Sequence, residues 1–309
     1  MTLLARAHQG VDNIAKWPLI RNRVHREYDE SFAANNDANL FRGVFETFSA
    51  AEASAPTTRP LGYDNSAAAG MYMDRTRKTY PTDYPVMFWL QKLIAEGCSQ
   101  FYDLGGHIGV SYYAYQRYLN YPATLKWTVY DVPTVIEQGR RVAAEKDCDG
   151  YLSFSDHFQD ADGIDLLMAQ GSLQYLPDTL PDRLKKLGTP PHHIILNLKP
   201  LHERLSYFTL QSIGAAFCPY RITAILEFTK SFEALGYKMV DHWNSPDKSC
   251  SIPFHPESFA GWPSRILFQP NRLKSMHTIN SCIWCRIATL LSSVDALPAW
   301  QRLRCEAGS

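Results

Sequence analysis

Residues 101–113, FYDLGGHIGVSYY, restrict the fold more tightly than any other stretch of this chain. An apolar approach through Phe101 and Tyr102 reaches Asp103, then Gly105, Gly106 and Gly109, then a run of aromatic and small residues. The pattern reads as a buried strand ending in a glycine turn that opens a helix. Bare backbone bends sharply and approaches a ligand more closely than a Cβ allows. The acid two places before the first glycine sets the ligand's chemistry. A carboxylate there repels a dinucleotide phosphate and attracts a cationic amino-acid ligand, which favours S-adenosylmethionine (SAM) over NAD. The dinucleotide pattern G-x-G-x-x-G, started at Gly105, also needs glycine at His107 and Val110 and finds neither.

From residue 100 onward apolar runs alternate with helical patterns. Strands are expected over 100–104, 126–131, 151–154, 164–169, 193–198 and 237–243, and helices over 108–120, 133–146, 178–187 and 223–235. That alternation implies a Rossmann-like α/β fold, a mostly parallel sheet with helices on both faces and ligands at the C-terminal strand ends. Upstream, residues 1–40 carry helical periodicity, 50–70 read as a loop, and Val86 to Glu96 reads as a helix buried on Phe88, Leu90, Leu93 and Ile94. Three segments follow: a helical cap over 1–82, a ligand-binding domain over 83–263, and a C-terminal tail over 264–309 whose Ile266 to Phe268 supplies a last strand.

Composition narrows the partners. Lys plus Arg is 31 and Asp plus Glu is 31, so net charge predicts neither nucleic acid nor an acidic partner. No stretch approaches the roughly 20 apolar residues that cross a bilayer, and the N-terminus lacks the apolar core of a secretory leader. Seven scattered cysteines fit a reducing compartment, so the cytoplasm is expected. Cys282 and Cys285 form a lone pair without the further ligands of a structural zinc site, and no metal is expected.

A SAM site needs a glycine turn beside the amino-acid portion, an acid for the ribose hydroxyls and a slot for adenine. Asp103 to Gly109 supplies the first, with His107 shaping the pocket from inside the turn. Asp131, ending the apolar run WTVY 22 residues after Gly109, supplies the second. The third falls at Ser155-Asp156-His157-Phe158, where Asp156 can accept from the adenine amino group and Val132 or Phe158 can pack on the ring. Gln170 and Tyr175 are expected as pocket walls. Gln211, Tyr220 and Arg221, in an uncharged segment, are candidates to line an acceptor site, Arg221 with an anionic group or an internal salt bridge as partner.

The series FYDLGGHIG, VYDVPTVIEQGR, FSDHF and DLLMAQGSLQYLPD resembles the motifs of class I SAM-dependent methyltransferases over roughly residues 85–245. DYPVMFWLQKL, GSLQYLP, NLKPLH, FTLQSIGAAFCPYR and GYKMVDHW further resemble a bacterial methyltransferase family associated with surface-polysaccharide gene clusters, over roughly 42–255. The resemblance implies a seven-stranded sheet with an antiparallel last strand, SAM as methyl donor, and an N-terminal cap. It places Asp103 and Gly105 near the methionine portion, Asp131 on the ribose and Asp156 on the adenine. In plant-type O-methyltransferases a histidine after the fourth strand is the base; the matching position here is Gln174, which cannot act as one. His202 is then the favoured base, or the acceptor needs none. The implied activity is methylation of a small or carbohydrate-linked acceptor, most readily at oxygen. The rival is a non-catalytic binding or assembly subunit of a polysaccharide pathway. A second copy of the chain is a further expected partner.

Overall fold

The computed structural model describes residues 18–36, 39–146, 150–243, 249–261 and 264–270. Cys282 and Cys285, and the tail beyond residue 270, lie outside the described residues. In chain order the principal elements are α1 (Pro18–Ala34), β1 (Leu40–Phe45), α2 (Phe48–Ala53), α3 (Ser66–Gly70) and α4 (Tyr84–Ala95). Next come β2 (Gln100–Leu104), α5 (Val110–Tyr115), β3 (Lys126–Tyr130), α6 (Pro133–Glu145), β4 (Leu152–Ser155), β5 (Leu166–Gln170) and α7 (Leu180–Leu184). The remainder is β6 (His193–Lys199), β7 (Leu201–His202), β8 (Tyr207–Ser212), β9 (Phe217–Ala224), α8 (Ile225–Glu233), β10 (Tyr237–Trp243), β11 (Ser249–Cys250), β12 (Ala260–Gly261) and β13 (Ser264–Pro270).

The main sheet has seven strands in the order β10-β13-β6-β5-β2-β3-β4. Strand β2 runs parallel to β3 on one side and β5 on the other, and β13 lies antiparallel between β10 and β6. This is the Rossmann-like order with a single antiparallel strand that the resemblance implies. Continuous apolar strands form because helices cover both faces: Phe101, Trp127, Val129, Leu166 and Met168 pack into one core and Tyr102, Leu104, Leu167 and Ala169 into the other. The strand order reverses between β2 and β5, so a crevice opens there at the C-terminal strand ends.

Helix α4 buries Val86, Met87, Trp89, Leu90 and Leu93, each worth about 1.5–3 kcal/mol of apolar transfer. The indole of Trp89 also donates to Asp241 Oδ2 at 2.8 Å, tying α4 to β10. Phe88, expected on the buried face, is 63% exposed. Its neighbours at i−1 and i+1 fill the core, and a single residue's turn of about 100° carries Phe88 off that stripe.

Sequence periodicity missed a second sheet, β1-β8-β9-β7. It joins the N-terminal segment to residues 201–224, through antiparallel pairs of β1 with β8 and β8 with β9. Phe32 of α1 stacks on Phe217 at 5.4 Å and seals one end of it. The helices expected over 108–120, 178–187 and 223–235 are shorter, at 110–115, 180–184 and 225–233, the last because β9 takes residues up to 224. The stretch 50–70 contains parts of two helices, α2 and α3, rather than loop alone. Helix α3 packs on α6, and the 3-10 turn Met73–Arg77 packs on α5, so the N-terminal segment covers the glycine turn's own helix.

Candidate cofactor and acceptor site

The glycine turn follows β2 at the reversal point. Gly105 has φ 75°, and a Cβ there would lie 2.2 Å from the Cβ of Ser172, after β5. Ser172 Oγ donates to the Leu104 carbonyl and holds that approach. At Gly106 a Cβ would meet the Asp103 carboxyl at 2.5 Å. Gly105 therefore requires bare backbone for the approach of the segment after β5, and Gly106 for packing against the end of β2. His107, with φ 57°, is a non-glycine residue in the left-handed region, which costs about 1–2 kcal/mol. Its N–H donates to Asp131 Oδ2 at 2.8 Å, and that bond offsets the strain. Gly105 N–H donates to the Tyr130 carbonyl at 2.7 Å, fastening the turn to the end of β3 a second time.

A fully buried carboxyl and a half-buried one flank this turn. Asp103 is fully buried; Oδ2 accepts from the Trp127 indole at 3.3 Å, and Oδ1 has no hydrogen-bond partner among the described residues. Burial pushes its carboxyl up to about 7, the Trp127 bond opposes this and the Asp131 charge adds to it. Asp131 is held at about 6 by burial, against hydrogen bonds from the backbone of Val132 and His107, with Asp64 repelling it. No ion pair reaches either acid among the described residues. Their unmet charge and the orphaned Asp103 oxygen fit a ligand carrying positive charge and hydroxyl donors, as SAM does.

The other sequence candidates divide. Val132 caps α6 beside Asp131 and is half-buried. Asp156 and His157 pair with each other at 3.5 Å, their side chains 56% and 77% exposed, at the open end of β4. Phe158 turns inward to the core with Tyr102 and Tyr130. Gln170 spends its amide on the fold: Oε1 accepts from Tyr115 and Asn197 at 2.9 and 3.1 Å, and Nε2 donates to Ser111 at 2.7 Å. It positions α5 against β5 and β6.

Gln174 is buried, donates to the Gly171 carbonyl at 2.6 Å, and leaves Oε1 without a partner among the described residues. Tyr175 donates to Gln211 Oε1 at 2.8 Å, and burial raises its hydroxyl well above the usual range. His202, on β7, is engaged by backbone. Its Nδ1 accepts from the amides of Arg204 and Leu205 at 3.0 and 2.9 Å, and Nε2 meets the Glu257 carbonyl at 3.0 Å. Those contacts fix the tautomer with hydrogen on Nε2 and occupy both nitrogens, so the geometry gives His202 a loop-fixing role.

The cap contributes residues that sequence reading did not single out. Tyr72 meets the His107 ring edge-on at 4.8 Å, Tyr63 meets Tyr175 at 5.0 Å, and Asp64 accepts from the amide of Thr134 at the start of α6 at 3.0 Å. The signal available was two tyrosines and an acid inside an otherwise small-residue stretch, LGYDNSAAAGMYM. Tyr220, fully buried on β9, packs on Tyr175 at 5.4 Å with its hydroxyl unpartnered among the described residues. An aromatic and amide-lined wall thus stands beside the glycine turn.

No protein-family profile and no curated protein sequence matches the chain. Among solved structures it is similar to the mitomycin 7-O-methyltransferase MmcR, at 12% identity and TM-score 0.38 over 60% of this chain and 54% of that one. It therefore spans about half of that enzyme's length. The N-terminal domain of EvdMO1 with SAH bound matches at 12% identity and TM-score 0.41, over 62% of this chain and 82% of that one. Magnesium protoporphyrin IX methyltransferase (ChlM) from Synechocystis PCC 6803, with bound SAM, matches at 12% identity and TM-score 0.40, over 65% and 92%. Strand order, rather than these distant likenesses, defines the fold of this chain.

Proposed function

We propose that this chain is a SAM-dependent methyltransferase. The observation that carries the reading is Asp103: a fully buried carboxyl with one oxygen unpartnered among the described residues, beside a bare-backbone turn that hangs from a second acid. A cationic ligand relieves the desolvation of both acids, and ribose hydroxyls use the free acceptor sites of Asp131. SAM supplies an electrophilic methyl group on a sulfonium. Within this reading Asp103 and the Gly105–Gly106 backbone hold the amino-acid portion, Asp131 holds the ribose, and Asp156, at the mouth of β4, takes the adenine amino group. Val132 and His157 border the adenine.

The acceptor is a small or carbohydrate-linked molecule methylated at oxygen, in keeping with the motif resemblance to a polysaccharide-associated family. Gln174 stands at the position that best matches the base histidine of plant-type O-methyltransferases, and both nitrogens of His202 are held by backbone. Acceleration then rests on positioning the acceptor rather than on a strong base, which suits an oxygen acid enough to lose its proton unaided. Tyr175, Gln174 and Tyr220 present the hydrogen-bonding atoms for that positioning. The described residues include no helix long and apolar enough to cross a membrane.

Isothermal titration with SAM and with its demethylated product tests the cofactor; no heat of binding at about millimolar ligand removes the reading. Gln174 also favours a second reading, a SAM-binding assembly subunit without turnover. Transfer of labelled methyl from SAM to any component of a host extract excludes that rival, and SAM binding without transfer supports it.

A further inference from the structure

A second cavity, with apolar and basic walls, lies at the end of β6 against β9 and α8. Lys199, at the end of β6, is only 3% exposed, and its ammonium makes one hydrogen bond among the described residues, to the Arg221 carbonyl at 3.2 Å. Arg221 on β9 faces the same space. Its guanidinium lies 4.7 Å from the centre of the Phe208 ring and donates through Nη2 to the carbonyls of Leu176 and Pro177, while Nε is buried with no partner among the described residues. Neither cation forms an ion pair with any carboxylate among the described residues.

Between them is a cavity of about 50 Å³, bordered by Thr179, Lys199, Arg221, Thr223, Glu227 and Ser231. It holds one small group and excludes a nucleotide. Two basic side chains face one carboxylate, and Glu227 already accepts from Ser206. Asp178 and Asp182 act on Arg221 from the α7 side, but they bind Lys186 and Lys185 instead. Lys199 is buried and Arg221 half-exposed; burial, with Arg221's charge adding to it and Glu227 opposing, brings Lys199 down to about 7. Glu227 acts on both basic groups without pairing with either, so donors of Lys199 and Arg221 are left for a ligand.

We infer that the Lys199–Arg221 cavity binds a small oxyanion, a phosphate, sulfate or carboxylate group, either free or carried on the acceptor. Arg221 offers a planar pair of donors to two oxygens and Lys199 a point charge from the other side. Binding of the anion needs no cofactor; only its assignment to the acceptor rests on the methyltransferase reading.

Inorganic sulfate is the probe, because its charge stays constant from about pH 6 to 9 and any proton taken up on binding belongs to the protein. Titration calorimetry at about pH 8, in two buffers of different ionisation enthalpy, is expected to show saturable binding with proton uptake as Lys199 becomes charged. Arg221→Gln is expected to weaken sulfate at least about tenfold, and Lys199→Met to remove the proton uptake. Heats no larger than those of sodium chloride at equal ionic strength overturn the inference, as does affinity unchanged in both variants. A hexose phosphate that binds at least as tightly as inorganic phosphate assigns the anion to the acceptor. A hexose phosphate excluded while sulfate still binds assigns the site to a free ion.

Discussion

The main-chain N–H of His107 donates to Oδ2 of Asp131 at 2.8 Å, while Oδ1 of the same carboxylate accepts from Val132 N–H at 2.8 Å. One side chain at the end of β3 therefore holds the turn after β2 and caps the start of α6. The two loops expected to grip different parts of one ligand are mechanically a single unit. Asp131→Ala is expected to weaken SAM binding by about 1–3 kcal/mol, through lost hydrogen bonds to a charged acceptor and a looser turn. Isothermal titration reads this directly. An unchanged affinity means the ribose is held elsewhere.

The second prediction concerns Asp103 and pH. Its carboxyl is raised from near 3.8 to about 7 by burial, so the folded state binds the proton more tightly than the unfolded chain does. The associated stability is complete below about pH 4 and is lost as pH rises through about 7, on the order of 4 kcal/mol for this group alone. Ligand-free protein should thus resist urea better at about pH 5 than at about pH 8. Asp103→Asn should flatten that profile and stabilise the protein at the higher pH while weakening SAM. Equal urea midpoints for wild type and variant at both pH values would contradict the burial argument.

Gly105 gives a test that separates packing from chemistry. Alanine at this position meets Ser172 at 2.2 Å and adopts a left-handed φ, so Gly105→Ala should lower stability by about 2–4 kcal/mol. Replacing Ser172 with glycine removes only the steric part. The double variant should therefore recover a portion of the loss, measured as a coupling energy in a double-mutant cycle. Purely additive effects would show that the two residues do not press on each other.

Much of this architecture was legible in the sequence because buried parallel strands carry continuous apolar runs and end in glycine or acid. FYDL, WTVY and LLMA announce themselves in that way, and strand β13 at Ile266 to Phe268 follows from a short apolar run. The second sheet was not legible. Its hairpin FTLQSIGAAFCPYR is buried on both faces and lacks the alternation that marks a half-exposed strand, while β1 owes its pairing to β8, some 170 residues away. Asp103, Asp131 and the glycine turn could be read from their position at strand ends. The role of His202 could not, since it depends on Glu257 meeting its ring from a distant loop. Tyr63 and Tyr72 escaped for the same reason: helical caps built of alanine and glycine show no period from which an inward face is read.

His202 provides the sharpest contrast between sequence expectation and geometry. A general base needs a free nitrogen facing the acceptor, yet Nδ1 receives two amides and Nε2 is taken by the Glu257 carbonyl. Its ring ties the turn after β7 to the 3-10 segment Pro256–Ser258, within a loop where the Tyr207 hydroxyl also donates to the Ser258 carbonyl. Removing it leaves two amides and a carbonyl of exposed residues to water, which costs about 0.5–1.5 kcal/mol per lost hydrogen bond. His202→Ala should therefore lower the urea midpoint and leave the pH–rate profile of methyl transfer unshifted once the acceptor is known. His202→Asn, which can reproduce part of the amide contacts, should restore part of the stability. Loss of a rate-controlling ionisation in folded His202→Ala, with stability unchanged, would return the base to this residue and move the catalytic centre toward β7.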